Sequence, residues 1–240
     1  MSELAFSSFT LNGVDAQKFL QGQVTLHAER LEENTTRYTT ICNLKGRILF
    51  GLWLTKINSE SFEIVAVADQ AEDLAKHIKK FGAFSKMKLE EVGQVYPTAN
   101  DIHTTFSTEA TDVQAWVLTA IESGQAFIQA ASAELFQPQE LRMHQRDGIH
   151  YDKGCYLGQE VIARLWFKAK PKAWLHLIAG TTAAPAVGEQ LHNNVQVVNS
   201  IAIDGGYKAL VVAKPEALEE IGVTVLALPE ALSGDVARPQ

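Results

Sequence analysis

Hydrophobic and polar positions divide the chain into two regions with different rhythms. Residues 4–11 alternate loosely and predict a short strand, closed by the turn signal Asn12-Gly13. Asp15 is placed to cap a short helix through Phe19, Leu20 and Gln23. Thr35 to Asn43, rich in Thr, Tyr and Ile, predicts a strand. Asn43-Leu44-Lys45-Gly46 predicts a hairpin turn, and Arg47 to Ile57 the returning strand. Asn58-Ser59-Glu60 is a further turn, and Ser61 to Ala68 alternates as a third strand. From Asp69, read as an N-cap, Leu74, Ile78 and Phe81 share one face of an amphipathic helix. Lys86 to Val92 then returns as a strand, and Gly93 to Ala110, with its Thr, Ser, Asn and Pro97, reads as a linker or loop. Trp116 to Ile121 and Ala126 to Ala131 flank a turn at Glu122-Ser123-Gly124. Phe136 to Leu141 predicts the start of a helix, with Pro138 in its first turn.

The rhythm changes beyond Lys172. Trp174 to Ala179, Val195 to Ile203, Tyr207 to Ala213 and Val223 to Leu228 read as short strands separated by Gly and Pro, and Pro229 to Gln240 as a frayed tail. The pattern predicts an α+β region over residues 1–168, a sheet covered by helices, followed by a small C-terminal β-barrel over residues 169–240.

One stretch fits neither rhythm. Lys153-Gly-Cys-Tyr-Leu-Gly-Gln-Glu-Val-Ile-Ala-Arg164 packs a lysine, a cysteine between glycines, an amide, a carboxylate and an arginine into twelve residues. If Gly154 to Tyr156 turn into a helix running from Gly158 to Arg164, the Cys155 thiol lies near a helix N-terminus with Lys153 two residues away. Positive potential there favours the thiolate. Glu160 and Arg164 are four apart, acid first, the favourable order for a helical ion pair. The alternative is a turn whose cysteine is a small buried hydrophobe.

Composition narrows the classes. At 240 residues the chain can bury a substantial core, and its formal net charge of −7 supplies no overall field for nucleic acid or an anionic membrane. A local basic patch from Arg142, Arg146, Lys153 and Arg164 stays open. No apolar run reaches about 18 residues, so no membrane-spanning helix is expected. The first residues lack the pattern of a secretory signal. With only Cys42 and Cys155, no disulfide framework is expected and a reducing, cytoplasmic setting fits. Two thiols also fall short of the four ligands of a usual iron–sulfur cluster. His144 and His150 lack the spacing of a metal pair, and no metal site is expected.

Lys153 to Glu160, with Val-Ile-Ala-Arg164 after it, resembles the signature of the YgfZ family of folate-binding proteins, relatives of the glycine-cleavage aminomethyltransferase GcvT. Further matches lie in the same order: Gln21 to Thr25, Cys42 with Lys45-Gly46, Phe81 to Lys86 and Ile121 to Gly124. The resemblance spans nearly the whole chain. It implies a GcvT/YgfZ-like ring, with an N-terminal α+β region and a C-terminal β-barrel around a central folate cleft. The chain is short for that family, the missing residues falling around Gly93 to Ala110.

The resemblance also implies roles. Trp116 matches a tryptophan at the folate site, Phe6 stands where some relatives carry another, and Glu122 matches the glutamate that holds the pterin edge. Read by themselves, Trp116 is a core residue and Glu122 a solvated turn residue. Gly51 matches the position of the aspartate required for methylamine transfer, and no carboxylate lies between Glu33 and Glu60. After Phe167, Lys168, Lys170 and Lys172 stand where an arginine is usual. The implied protein is a cytoplasmic tetrahydrofolate-binding protein that assists assembly or repair of iron–sulfur clusters in client proteins. Cys155 and Lys153 carry the chemistry, and Gly154, Tyr156, Gly158, Gln159, Glu160 and Arg164 shape the loop. Two other readings stand beside it: a folate-dependent one-carbon transferase acting on tRNA, and a non-catalytic folate-dependent interaction module.

Overall fold

In the computed structural model, which describes residues 4–99 and 104–238, the alternating stretches form two antiparallel sheets. The elements run β1 (Phe6–Asn12), α1 (Ala16–Gln21), β2 (Thr36–Cys42), β3 (Ile48–Asn58), β4 (Ser61–Val67), α2 (Ala71–Phe81), β5 (Lys88–Ala99), β6 (Thr104–Ser107) and α3 (Val113–Glu122). They continue with α4 (Gln159–Lys168), β7 (Trp174–Gly180), β8 (Gln190–Leu191), β9 (Val195–Ile203), β10 (Gly206–Ala213), α5 (Pro215–Glu220) and β11 (Thr224–Leu226). The first sheet has the order β2-β3-β4-β1-β5-β6 and the second β11-β7-β10-β9-β8. Among the described residues no helix is long and apolar enough to cross a membrane.

Period-two alternation sends the first sheet's side chains into two cores. On β4, Phe62, Ile64 and Ala66 face α1 and α2, meeting Phe19, Leu74 and Ile78. Val65 and Val67 point the other way, joining Phe6, Trp53, Trp116 and Phe127. That second core also takes Leu175, Leu177, Val198, Leu210 and Val212 from the second sheet, so one apolar cluster joins the two sheets.

Four expectations change. β5 does not end at Val92. Gly93, at φ 136, forms a bulge opposite Ser8 and Phe9 that leaves Val92 out of register, and the strand runs on to pair with β6. Pro97 lies past the last residue of β5 that pairs with β1, so its missing N–H breaks no ladder there. Residues 100–103 of the expected linker lie outside the described set. Asp69 does not cap α2: Gln70 holds that position, and the Asp69 carboxylate accepts from Ala130 N at 3.0 Å. Residues 136–141 form turns rather than a helix, because Phe136 O accepts from Ile48 N at 2.9 Å and ties this segment to β3. The segment after Pro229 is not frayed through residue 238. Leu232 and Val236 are buried, and Gly234 O accepts from Arg142 Nη1 at 2.8 Å. Residues 239 and 240 are outside the described set.

Candidate functional site

A cavity of about 470 Å3 opens beside Trp53 and Tyr38. The two rings are cross-strand neighbours on β2 and β3, with centroids 4.8 Å apart. Gly51, opposite Thr40, makes this possible. A Cβ at Gly51 would overlap Tyr38 Oη and lie 2.8 Å from Tyr38 Cζ. The phenol therefore occupies the space a side chain at 51 would need, and its oxygen accepts from Ile128 N at 3.0 Å. Burial pushes the Tyr38 phenol well above its ordinary pKa, keeping it neutral.

The opposite wall comes from residues 141–148. Arg142 and Asp147, both left-handed at φ 57 and 59, bracket a short 3₁₀ turn, Met143–Arg146. This geometry is uncommon for residues other than glycine, and it aims the turn's polar side chains at the cavity. Arg146 Nη1 donates to Ser123 O at 3.0 Å, and burial holds its guanidinium below its usual pKa range. Gln125 Nε2 donates to Thr104 Oγ1 at 2.8 Å on the same wall. Pro229, Ala231 and Leu232 close one side.

Arg37 and Asp147 also line a smaller cavity of about 180 Å3 with His27 and His150. His150 Nδ1 accepts from His27 N at 2.9 Å. Its Nε2 therefore carries the proton that faces Asp147 Oδ1 at 3.0 Å.

Phe6, Trp116 and Glu122 do not line the larger cavity. Phe6 is fully buried at ring-centroid distances of 5.2 Å from Trp116 and 5.6 Å from Trp53. Trp116 Nε1 donates to Thr104 Oγ1 at 3.2 Å, which satisfies the indole inside the core. Both rings back the Trp53 wall. Glu122 ends α3 and pairs with Lys208, while Ser123 and Gln125 just after it reach the cavity. Tyr38 and Trp53 escape sequence reasoning because a strand aromatic looks the same on a core face and on a cavity wall. The available signal is Gly51, a glycine amid large apolar residues, which permits close approach of a ring.

The Cys155 loop docks elsewhere, on the β2–β3 hairpin turn. Cys155 is exposed and Cys42 is buried. Gly158, at φ 81, precedes α4, and a Cβ there would clash with Asn43 O and lie 3.3 Å from Cys42 Cβ. Gly46, at φ 69, would place a Cβ 3.1 Å from Val161. Leu157 N donates to Gly22 O at 3.2 Å, and Gln159 Nε2 to Lys153 O at 3.5 Å. The glycines thus let α4, the hairpin turn and the residue 22 loop meet backbone to backbone, with Tyr156 buried beneath. Gly154 has open space around it. Glu160 and Arg164 are both exposed, and among the described residues no ion pair joins them.

Lys153 is buried, and its ammonium is committed: Nζ donates to Val24 O at 2.6 Å and Leu26 O at 2.7 Å, and lies 4.7 Å from the Tyr156 ring centroid. Burial pulls its pKa down to about 7, opposed by Glu29 and by the two carbonyls. An unfolded lysine keeps its proton to about 10.4. Between those values the unfolded chain binds the extra proton, so stability should rise with pH, by at most ~1.4 kcal/mol per pH unit. Urea unfolding midpoints followed from pH 7 to 9 are expected to rise more in the native protein than in Lys153→Met. Equal slopes would show that Lys153 stays charged in the fold.

No family model matches the chain. Curated relatives do. "tRNA-modifying protein YgfZ" of Escherichia coli is 27% identical, covering 76% of this chain and 72% of its own. The protein of the same name from Sodalis glossinidius is 26% identical over the same shares. An uncharacterized protein of Haemophilus influenzae is 25% identical over 81% of both chains. Among solved structures, aminomethyltransferase T of the glycine cleavage system from Bartonella henselae superposes with a TM-score of 0.59 at 14% identity, over 87% of this chain and 76% of that one. The chain therefore has the GcvT-like α+β fold. Within that class it is YgfZ-like in sequence.

Proposed function

We propose that the chain binds tetrahydrofolate or a derivative in the cavity between Trp53 and Arg146, and assists assembly or repair of iron–sulfur clusters in client proteins through Cys155. The observation that carries this reading is a cavity with flat aromatic and charged walls on the same scaffold as a rigidly docked, exposed thiol. Its volume of about 470 Å3 lies within the usual ligand-pocket range of roughly 300–1,000 Å3. Tyr38, with the buried Trp53 ring behind it, offers an aromatic wall to a pterin, and the Asp147 carboxylate can accept two hydrogen bonds from an aminopyrimidine. Arg37 and Arg146 supply charge for the folate's glutamate carboxylates. Phe6 and Trp116 serve by holding Trp53, and Glu122 by anchoring the end of α3. A bound reduced folate would supply a one-carbon carrier. Cys155 meets a client's cluster as a transient iron ligand, since two cysteines cannot hold a resident cluster.

Tetrahydrofolate is expected to quench Trp53 fluorescence, and Asp147→Asn to weaken binding about tenfold, in line with loss of a charged hydrogen bond. Absence of quenching in the native protein would overturn the cavity reading. Cys155→Ser is expected to bind folate normally yet fail to restore iron–sulfur enzyme activity in a strain lacking the protein. Full rescue would remove the thiol from the mechanism and favour a non-catalytic folate-dependent module.

A second reading, one-carbon transfer directed at tRNA, draws on the name carried by the YgfZ relatives. Gly51 weighs against the aminomethyl version, because Tyr38 fills the space of the required acid.

A further inference from the structure

The segment Phe81 to Lys86, one of the stretches that carry the family resemblance, has no part in the cavity or the Cys155 loop. It forms the turn after α2. Phe84 is 103% exposed at its tip and Phe81 is 45% exposed at its base. A fully exposed phenylalanine buries no area for the fold, and with Phe81 it makes a projecting apolar pair at the tip and base of one turn.

The turn is rigid. Lys86 N donates to Asp15 Oδ2 at 2.7 Å, and Ser85 N to Gly82 O at 2.9 Å. A Cβ at Gly82 would lie 2.8 Å from Ile78 O and 3.4 Å from Phe19, so the turn sits directly against α1. The ring is therefore held out in advance, at no ordering cost on binding.

The chain on either side of the turn is basic, with Asp15 the carboxylate that touches it. Between Asp73 and Glu90 the chain carries five lysines and no acid, although the whole chain has a formal net charge of −7. Lys76 and Lys88 are paired with acids. Lys79, Lys80 and Lys86 are exposed and, among the described residues, make no ion pair. Lys18, exposed on α1 beside Phe19, makes none either.

We infer that this turn docks a single-stranded RNA segment, with a base stacked on Phe84 and backbone phosphates on Lys79, Lys80 and Lys86. A projecting aromatic set among unpaired lysines is the combination that single-stranded nucleic acid uses. An anionic membrane fits less well: the apolar face of α2, Leu74 and Ile78, is buried, so no amphipathic helix is free to lie on a bilayer. The inference extends the tRNA-directed reading, and its test contains no folate, so it fails or stands apart from the cavity.

The test is fluorescence anisotropy with a labelled twelve-nucleotide oligouridine and an unmodified tRNA transcript, across a salt series. Phe84→Ala is expected to weaken oligouridine binding at least fivefold with an unchanged salt slope, as loss of one stacked base does. Lys79→Gln with Lys80→Gln is expected to reduce the slope of log affinity against log salt by about 1.4, two phosphate contacts on a single strand. All variants should keep the native melting temperature. No RNA binding by the native protein at 50 mM salt, or equal affinity of Phe84→Ala, would overturn the inference. So would phosphatidylserine vesicles that bind the native protein and displace the RNA.

Discussion

Replacing Gly51 by aspartate is expected to cost at least ~4 kcal/mol of stability, and not to install an amine-transfer acid. The Cβ alone would overlap Tyr38 Oη and lie 3.2 Å from Ile128 Cβ. Tyr38 cannot swing aside cheaply, since its oxygen satisfies Ile128 N and its ring packs on Trp53. Overpacking of this kind costs roughly 1–3 kcal/mol, and an unpaired carboxylate in an apolar wall adds several more. A loss of at least ~4 kcal/mol is a large share of the roughly 5–15 kcal/mol that holds a domain together. Urea unfolding of Gly51→Asp, Tyr38→Gly and the double variant reads the effect. The double variant should be more stable than Gly51→Asp, because removing the ring clears the space. If Gly51→Asp alone keeps native stability, the phenol does not occupy the acid's place.

The second large effect falls on the Cys155 loop. Gly158→Ala is expected to cost about 3 kcal/mol, combining a left-handed alanine with a clash against a backbone oxygen. The atom met is Asn43 O, in a hairpin whose Gly46 N and Arg47 N are already bonded to Asn43, so neither side yields easily. Gly154→Ala, with open space around it, is the matched control and should stay within about 0.5 kcal/mol of native. Limited proteolysis should cut Gly158→Ala near residues 152–158 and leave the control intact. Equal resistance would mean that the loop does not depend on this close approach.

Much of the fold could be read from periodicity alone: β1 to β4, α2 and the β7, β9 and β10 strands fall within a residue or two of their predicted bounds, while α4 runs four residues past its expected end at Arg164. The misreadings share a cause. Gly93 and Pro97 punctuate most sequences, yet here a bulge and a sheet edge absorb them. Residues 136–141 and 229–236 are ordered by distant partners, β3 for one and Arg142 for the other, and local sequence carries no trace of either. For the site, the sequence marked the Lys153 to Arg164 stretch as fitting neither rhythm, and within it Gly158 makes the close backbone approach while Gly154 has open space. The stretch could not announce that Lys153 turns away to the carbonyls of Val24 and Leu26, an acceptor pair 127 and more residues distant.

The buried segment around Leu232 has a consequence for how the cavity comes into being. Leu232 packs beneath Gly124, at the end of α3, and Gly234 is held by Arg142 behind the opposite wall. Every other wall is encoded before residue 149. The aromatic and charged faces thus come from residues 36–148, and the last side closes only when the 229–236 segment docks. A small molecule retained by that pocket therefore reports that the 229–236 segment has docked.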